Sequence, residues 1–475
     1  MTDTNKAILP VECKKKAPIN SGSEYKAGNY IQFFIGASDI NMWLVNDSYL
    51  KFDVSVPAHD YTVHNGGTGE KAAGAIAASD TYIKNAANFF DKIEILQASK
   101  VIYHEEHFIE NNTIEQLELG EDYQRANFQT FTTLKMIENS EAYLKISNSG
   151  RNAAAIAAAA DGPCTVAAQI IKDVQIPINR IMRIFQDLTS EGFPLFMLTA
   201  PIELRLYIAE PYKYLLDYST ATKDYADNFT ITTANITSTA SMAARFPSTS
   251  IELKNVIMNM YGYTPKESER AIIQNKVNTE GMKYRYRMVK SAFRQASLSS
   301  GQASNSLPFT LGTSNVSSIL LYCHKKNLSP GLMLRPKISS LYIQFGANQL
   351  PKQPIPSSSF ENPYEYKFTV DDVLNNIDTY YSQTNFDYNN SYRFIADGTA
   401  RDAITVPQSS FVMMGANYVS DPEDFGADSK TWNSQYQAHF NSNESAAIND
   451  LNFVLCVVSE YGLILKNGEL DTRNI

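Results

Sequence analysis

Cysteine, histidine and tryptophan are scarce in this chain of 475 residues, at four, six and two. Cys13, Cys164, Cys323 and Cys456 lie far apart, without the paired spacing of a zinc site or a disulfide framework. A reducing compartment is the expected setting, with Cys456 as a small core residue inside an apolar run. Six histidines are a thin supply for acid–base or metal chemistry. No window approaches the run of about twenty apolar residues that would span a membrane as a helix. The N-terminal "MTDTNKAILPVECKKK" has no apolar segment of the secretory kind. The sequons at Asn228 and Asn235 are therefore not expected to carry glycans. Excess positive charge is also missing. A net charge of −9 argues against a protein that coats nucleic acid non-specifically, because such binding neutralises phosphates.

What is present points to β structure. Tyrosine (28) and phenylalanine (24) are abundant, and only 19% of residues are charged against 44% hydrophobic. At this length two domains are the default. The first 28 residues are polar, broken by Pro10, Pro18 and Gly22, and carry Lys14-Lys15-Lys16. They read as an arm without a core of its own, lining or tethering something by its charge. Strands are expected at Tyr30–Gly36 and Ser48–Val56, the second alternating Leu50, Phe52, Val54 and Val56 with Lys51, Asp53 and Ser55. Residues 58–80, small and Gly-rich, read as a long surface loop, and the Ala-rich insert Gly150–Pro163 as another.

A hairpin follows from "DKIEILQASKVIYHEEH", turning at Gln97-Ala98-Ser99-Lys100, with helix-start chemistry after it at Thr113 and Gln116. Ile202, Leu204, Leu206 and Ile208 alternate with Glu203, Arg205 and Tyr207, and "SIELKNVIMNMYGY" is a further strand. A helix is expected over Thr264–Gly281, with Thr264 capping, Pro265 in its first turn and Gly281 ending it. A second β set opens at "MKYRYRMVKSAF". It includes a second hairpin, "ISSLYIQFGANQLPKQPIP", whose Pro351, Pro354 and Pro356 are expected to stop ladder pairing. Thr369-Val370-Asp371-Asp372 is a second helix start. Leu451–Val458 is apolar on both faces, and Asn467-Gly468 signals a closing hairpin.

The halves share an order of events: two strands, a hairpin, a capped helix, long loops and closing strands. Two similar β-domains in tandem are expected, each an eight-stranded jelly roll with short helices in its loops. The division is residues 1–28 as arm, 29–263 as first jelly roll, 264–283 as connecting helix and 284–475 as second jelly roll.

Candidate chemical sites fail one by one. Asn65–Ala72, "NGGTGEKA", has the glycines of a phosphate loop without its Lys-Ser/Thr or its strand–helix frame. His104-Glu105-Glu106-His107 lacks the spacing that sets two rings on one helical face. Cys323-His324 are strand neighbours that point to opposite faces. Asp371-Asp372 suits helix capping. No catalytic, cofactor or metal residue is assigned, and an enzyme is not expected.

With tandem jelly rolls inferred, several phrases gain weight. "IQFFIGASDINMWLVNDSYLKFDVSV", "NFFDKIEILQASKVIY", "FPLFMLTAPIELRLYIA", "SIELKNVIMNMYGY", "ISSLYIQFGANQLPKQPI" and "VVSEYGLILKNGELDTRNI" resemble segments of double jelly-roll major capsid proteins. These belong to polintons, adintoviruses, virophages and related adenovirus-like DNA viruses. The Ala-rich inserts at 72–78 and 153–160 match nothing in that pattern. The resemblance implies homotrimeric pseudo-hexagonal capsomers tiling an icosahedral shell around double-stranded DNA. It implies partners in the chain itself, in a penton protein and in minor capsid proteins. It implies a virion location, manufacture in the host cytoplasm or nucleus, no cofactor and no specific nucleic-acid contact. The rival from another class is a carbohydrate- or receptor-binding β-sandwich of the fibre or lectin kind. It would account for the tyrosines and long loops, and would not require two similar domains.

Overall fold

The computed structural model describes residues 11–20, 25–63, 80–83, 86–112, 135–137, 141–146, 148–149, 162–166, 168–185, 192–218, 246–312, 316–325, 333–334, 338–345, 348–355, 435–444 and 447–474. The Ala-rich inserts, Asn65–Ala72, Thr113 to Gln116, most of the Thr/Ser-rich stretch after Thr220, and Asp371-Asp372 lie outside these residues.

The first half lays down β1 (Glu12–Lys16), β2 (Tyr30–Ile35), β3 (Met42–Val56), β4 (His59–Val63), β5 (Asp80–Ile83), β6 (Phe90–Gln97), β7 (Lys100–Glu105) and β8 (Lys135–Ile137). It continues with β9 (Glu141–Ile146), β10 (Asn148–Ser149), β11 (Gly162–Val166), β12 (Gln169–Pro177), β13 (Phe193–Pro194), β14 (Ile202–Ile208), β15 (Leu215–Tyr218) and β16 (Glu252–Tyr263). Two sheets carry the fold, in the orders β1-β16-β3-β12 and β2-β14-β6-β7. The eight strands pair first with last, second with seventh, third with sixth and fourth with fifth, as β1·β16, β2·β14, β3·β12 and β6·β7. That nested antiparallel order is a jelly roll.

Alternation places the core. Leu50, Phe52, Val54 and Val56 of β3 and Ile202, Leu204, Leu206 and Ile208 of β14 are all buried, with Lys51, Asp53, Glu203 and Arg205 outward. Between the sheets Phe52 meets Phe89 and Phe90 edge-on, at 5.6 and 6.3 Å between ring centres.

Three expectations are corrected here. Residues 12–16, placed in the arm, form β1, paired with β16 from Glu12↔Gly262 to Lys16↔Met258. Lys14 Nζ donates to the Ser38 carbonyl and Lys16 to Asp39. The basic run is therefore engaged by the fold, on an edge strand where lysines also discourage further pairing. Second, β3 begins at Met42, before the expected Ser48. Ser48 Oγ accepts from Trp43 Nε1 (2.9 Å) and from the Tyr261 amide (3.0 Å) and donates to the Leu44 carbonyl (2.7 Å), which carries the strand through an irregularity. Third, part of the expected loop 58–80 is ordered. β4 pairs with β11 and β5 with β9 and β15, so the connections β3–β6, β7–β12 and β14–β16 meet in two small added sheets.

The linking helix α1 spans Glu267–Thr279, not Thr264–Gly281. Lys266 is its N-cap, and its amide donates to Glu269 Oε2 (3.2 Å). Gly281, at φ +81°, ends it by donating to the Lys276 carbonyl (2.9 Å).

The second half contains β17 (Met282–Leu298), β18 (Gly301–Thr310), β19 (Val316–Lys325), β20 (Met333–Leu334), β21 (Ile338–Phe345), β22 (Asn348–Ile355), β23 (Gln435–Glu444), β24 (Ile448–Lys466) and β25 (Glu469–Asn474). Its sheets run β17-β24-β19-β20, with β25 on β24, and β18-β23-β21-β22. Among the described residues this repeats the nested order for seven strands, with β17·β24, β18·β23 and β21·β22 matching β1·β16, β2·β14 and β6·β7. The two hairpins noticed in the sequence are thus the same element of each jelly roll.

The prolines of the second hairpin do not end its ladder. Pairing runs from Phe345↔Asn348 to Leu341↔Ile355, and the register shift absorbs Pro351 and Pro354. Among the described residues β22 ends its sheet, so a missing N–H is tolerated there. No helix among the described residues is long and apolar enough to cross a membrane.

The first hairpin turns through Ala98 and Ser99 at φ +48° and +67°, with Gln97 opposite Lys100. This is the left-handed geometry of a two-residue type I′ turn, which L side chains adopt at a cost of about 1 kcal/mol or more each. Replacing Ala98-Ser99 by Asn-Gly is expected to raise stability by about 1 kcal/mol, read as a higher urea midpoint with unchanged slope.

Candidate functional site: the junction between the two jelly rolls

The strand β24 is apolar on both alternating faces, and both are buried. Phe453 stacks on Phe440 of the facing sheet at 5.3 Å, inside the second sandwich. Val454 and Cys456, on the opposite face, are also fully buried. Their cover is the first jelly roll. Ser291 of β17, paired with Cys456, donates to Asn111 Oδ1 (2.6 Å), and Phe293, paired with Val454, packs on His107 at 4.3 Å. Burial pushes the Cys456 thiol up to about 12, as suits an inert core residue.

Beside this contact sits a buried polar cluster. β7 delivers Tyr103 and Glu105, a helical turn over residues 108–112 delivers Asn111, and the segment after β12 delivers Arg183. Glu105 accepts from Arg183 Nη1 (2.8 Å), Asn111 Nδ2 (3.0 Å) and the Tyr103 hydroxyl (2.6 Å). Arg183 lies over the Phe108 ring, and Tyr103 meets Tyr286 of the second jelly roll at 6.0 Å. The side chains of Arg183 and Glu105 are 2% and 0% exposed, so loss of either would strand a buried charge. The helical turn precedes the helix start expected at Thr113.

Glu110 is buried on the same turn, and among the described residues Oε2 has no hydrogen-bond partner. Burial raises its pKa to about 7, Asp91 adding to the effect and Lys213 opposing it. Burial lowers His107, against the pull of Asp91 and Glu106.

A second contact closes the junction. Asn467 (φ +52°) and Gly468 (φ +81°) make the expected turn between β24 and β25. The Gly468 carbonyl accepts from the Thr199 amide (3.0 Å), Thr199 Oγ1 (3.0 Å) and Gln97 Nε2 (3.1 Å). Gln97 Oε1 in turn accepts from the Leu470 amide (2.6 Å), and Lys100 pairs with Asp471. Apolar packing is continuous across this join: Val277, Tyr286, Leu463, Leu465 and Leu470 belong to the core of the first jelly roll.

The motifs weighed in the sequence come apart. His104 faces outward between Glu94 (3.4 Å) and Glu106 (3.1 Å), while His107 enters the junction. Cys323 and His324 lie within β19, opposite Phe453 and Asn452 of β24. Among the described residues no group of three His, Cys, Asp or Glu is placed to hold a metal. Glu105, Arg183, Gln97 and Thr199 carried no local signal, since their partners lie far along the chain.

Two jelly rolls joined in one chain define the double jelly-roll fold. The mavirus major capsid protein shares it over 100% of this chain and 92% of its own, with 9% identity and a TM-score of 0.53. A chain in the structure of the Sputnik virophage matches over 98% of this chain and 88% of its own, with 11% identity and a TM-score of 0.54. No protein-family model matches the sequence, and no curated protein does.

Two outcomes test the junction. A Cβ at Gly468 would lie 2.6 Å from both the Met197 carbonyl oxygen and Thr199 Cγ2, at a φ that disfavours side chains. Gly468→Ala should destabilise by about 2 kcal/mol or more and speed proteolysis between the two jelly rolls. For Glu110 the folded pKa (about 7) exceeds the ordinary 4.5, so the folded state holds the proton more tightly. Its contribution is full below the unfolded pKa and is lost as pH rises to about 7. Glu110→Gln should therefore melt progressively higher than wild type as pH is raised through that window, by differential scanning calorimetry.

Proposed function

We propose that this chain is a viral major capsid protein, built into the shell of a double-stranded DNA virus. The observation that carries the reading is the duplicated nested strand order, held by a junction buried on both sides of β24. A full-length likeness in fold to the mavirus major capsid protein supports it. The role is structural, and no reaction is assigned to it.

In this reading three copies form a capsomer with six jelly rolls in pseudo-hexagonal array, and capsomers tile an icosahedral particle. The fold suits tiling. Rigid sandwiches fix the roots of long connections, and those connections make the contacts. Edges are guarded by Lys14, Lys15 and Lys16 on β1 and by Pro351 and Pro354 on β22. A net charge of −9 keeps free subunits soluble and leaves the genome ungripped. The partners are further copies of the chain, a penton protein and minor capsid proteins, and the location is the virion.

Purified protein should behave as a trimer burying well over about 2,000 Å² per contact, as obligate interfaces do. Light scattering with electron microscopy decides it. Trimers or shells are the expected result, and a monodisperse monomer at assembly concentrations would refute the reading.

A further inference from the structure

The turn 107–112 ties the two jelly rolls together and buries an acid within it. His107 opens the turn at φ +58°, a backbone conformation that side chains rarely adopt, and its carbonyl accepts from the Asn111 amide (3.1 Å). The His107 ring packs on Phe293 of β17. Asn111 accepts from Ser291 of β17 and donates to Glu105 of β7, and Asn112 Nδ2 donates to Asn88 Oδ1 (2.6 Å). Glu110 lies between these contacts, 7% exposed, and among the described residues its Oε2 accepts no hydrogen bond.

The surroundings favour the neutral acid. Asp91 of β6 repels a carboxylate at Glu110. Lys213, on the helical turn Pro211–Tyr214, opposes that effect but is bonded to Asp91 at 2.5 Å. Glu105 of β7 is held by Arg183. Burial favours neutral His107, against Asp91 and Glu106. Glu110 and Glu105 both act on the Cys456 thiol of β24, so Glu110 is within electrostatic reach of the second jelly roll. Once ionised, Glu110 gains solvation only by drawing water into the turn.

We propose that the turn 107–112 is a proton-operated latch. With Glu110 neutral it holds β17 and β24 against the first jelly roll, and ionisation of Glu110 releases them. The latch belongs to this chain's own junction and stands apart from the capsid reading. Linkage sets its direction. The closed junction holds the Glu110 proton up to about 7, and an open one only to the ordinary 4.5. Closure is therefore full below the ordinary value, weakens by about tenfold per pH unit across that window, and levels off above it. His107 acts at the other end, since its lowered folded value sets acid protonation against closure.

The test uses the full chain with Cys13→Ser, Cys164→Ser and Cys323→Ser, leaving buried Cys456 as its single thiol. Reaction of Cys456 with a pyridyl disulfide is timed from about pH 5 to about pH 8, with Glu110 kept and with Glu110→Gln. Thiol ionisation and His107 are common to both chains, so the ratio of their rates isolates Glu110. The ratio, Glu110 over Gln, is expected to rise by about tenfold per pH unit and to level off above about pH 7. In the chain with Glu110 kept, the rate divided by that of the urea-unfolded protein should trace the same curve, which serves if the Gln variant does not fold. Val457→Cys with Cys456→Ala moves the thiol to the neighbouring buried residue, which faces the interior of the second sandwich. Above pH 7 Cys456 should react at least about tenfold faster than that control, because opening the junction bares only one face of β24. A flat pH curve, or equal rates at 456 and 457, would overturn the proposal.

Discussion

Burial of β24 on both faces is the constraint on which the rest of this structure depends. A strand in an antiparallel sandwich ordinarily needs one apolar face, the other being solvated. Here Phe453 fills the second sandwich, and Val454 and Cys456 are buried on the opposite face, where Ser291 and Phe293 beside them meet Asn111 and His107 of the first. The apolar second face makes the two jelly rolls one body, because separating them would expose a continuous apolar surface. Ser291 and Asn111, Tyr103 and Tyr286, and the Gly468 turn then set the relative position more finely than apolar contact alone does.

The buried pair of Glu105 and Arg183 belongs to this logic. As a source of stability it is weak, since desolvating two charges offsets most of their attraction. As a positioning element it is demanding. Glu105 is satisfied only when Tyr103, Asn111 and Arg183 arrive from three segments together, which fixes the wall against which β17 lies.

Much of the fold was legible in the sequence because strands report their buried faces locally. Alternation at Leu50 to Val56 and Ile202 to Ile208, the Asn467-Gly468 turn and the apolar run of β24 each came through. The departures share one cause, which is long-range pairing. Glu12–Lys16 has no apolar pattern and is a strand because β16 offers it an edge. Pro351 and Pro354 read locally as breakers, yet an edge position with a bulge admits them.

By itself the sequence determined the β class, the duplication of a hairpin unit and the two-sided apolar character of β24, since these depend on residue type and spacing of near neighbours. Only the tertiary structure decided the nested strand order, the partner covering Val454 and Cys456, and the junction of Glu105, Arg183, Gln97 and Gly468. Those contacts join residues as far apart as Gln97 and Leu470. No local pattern encodes such a pairing, because it exists only once both sandwiches have closed and brought their surfaces within bonding distance.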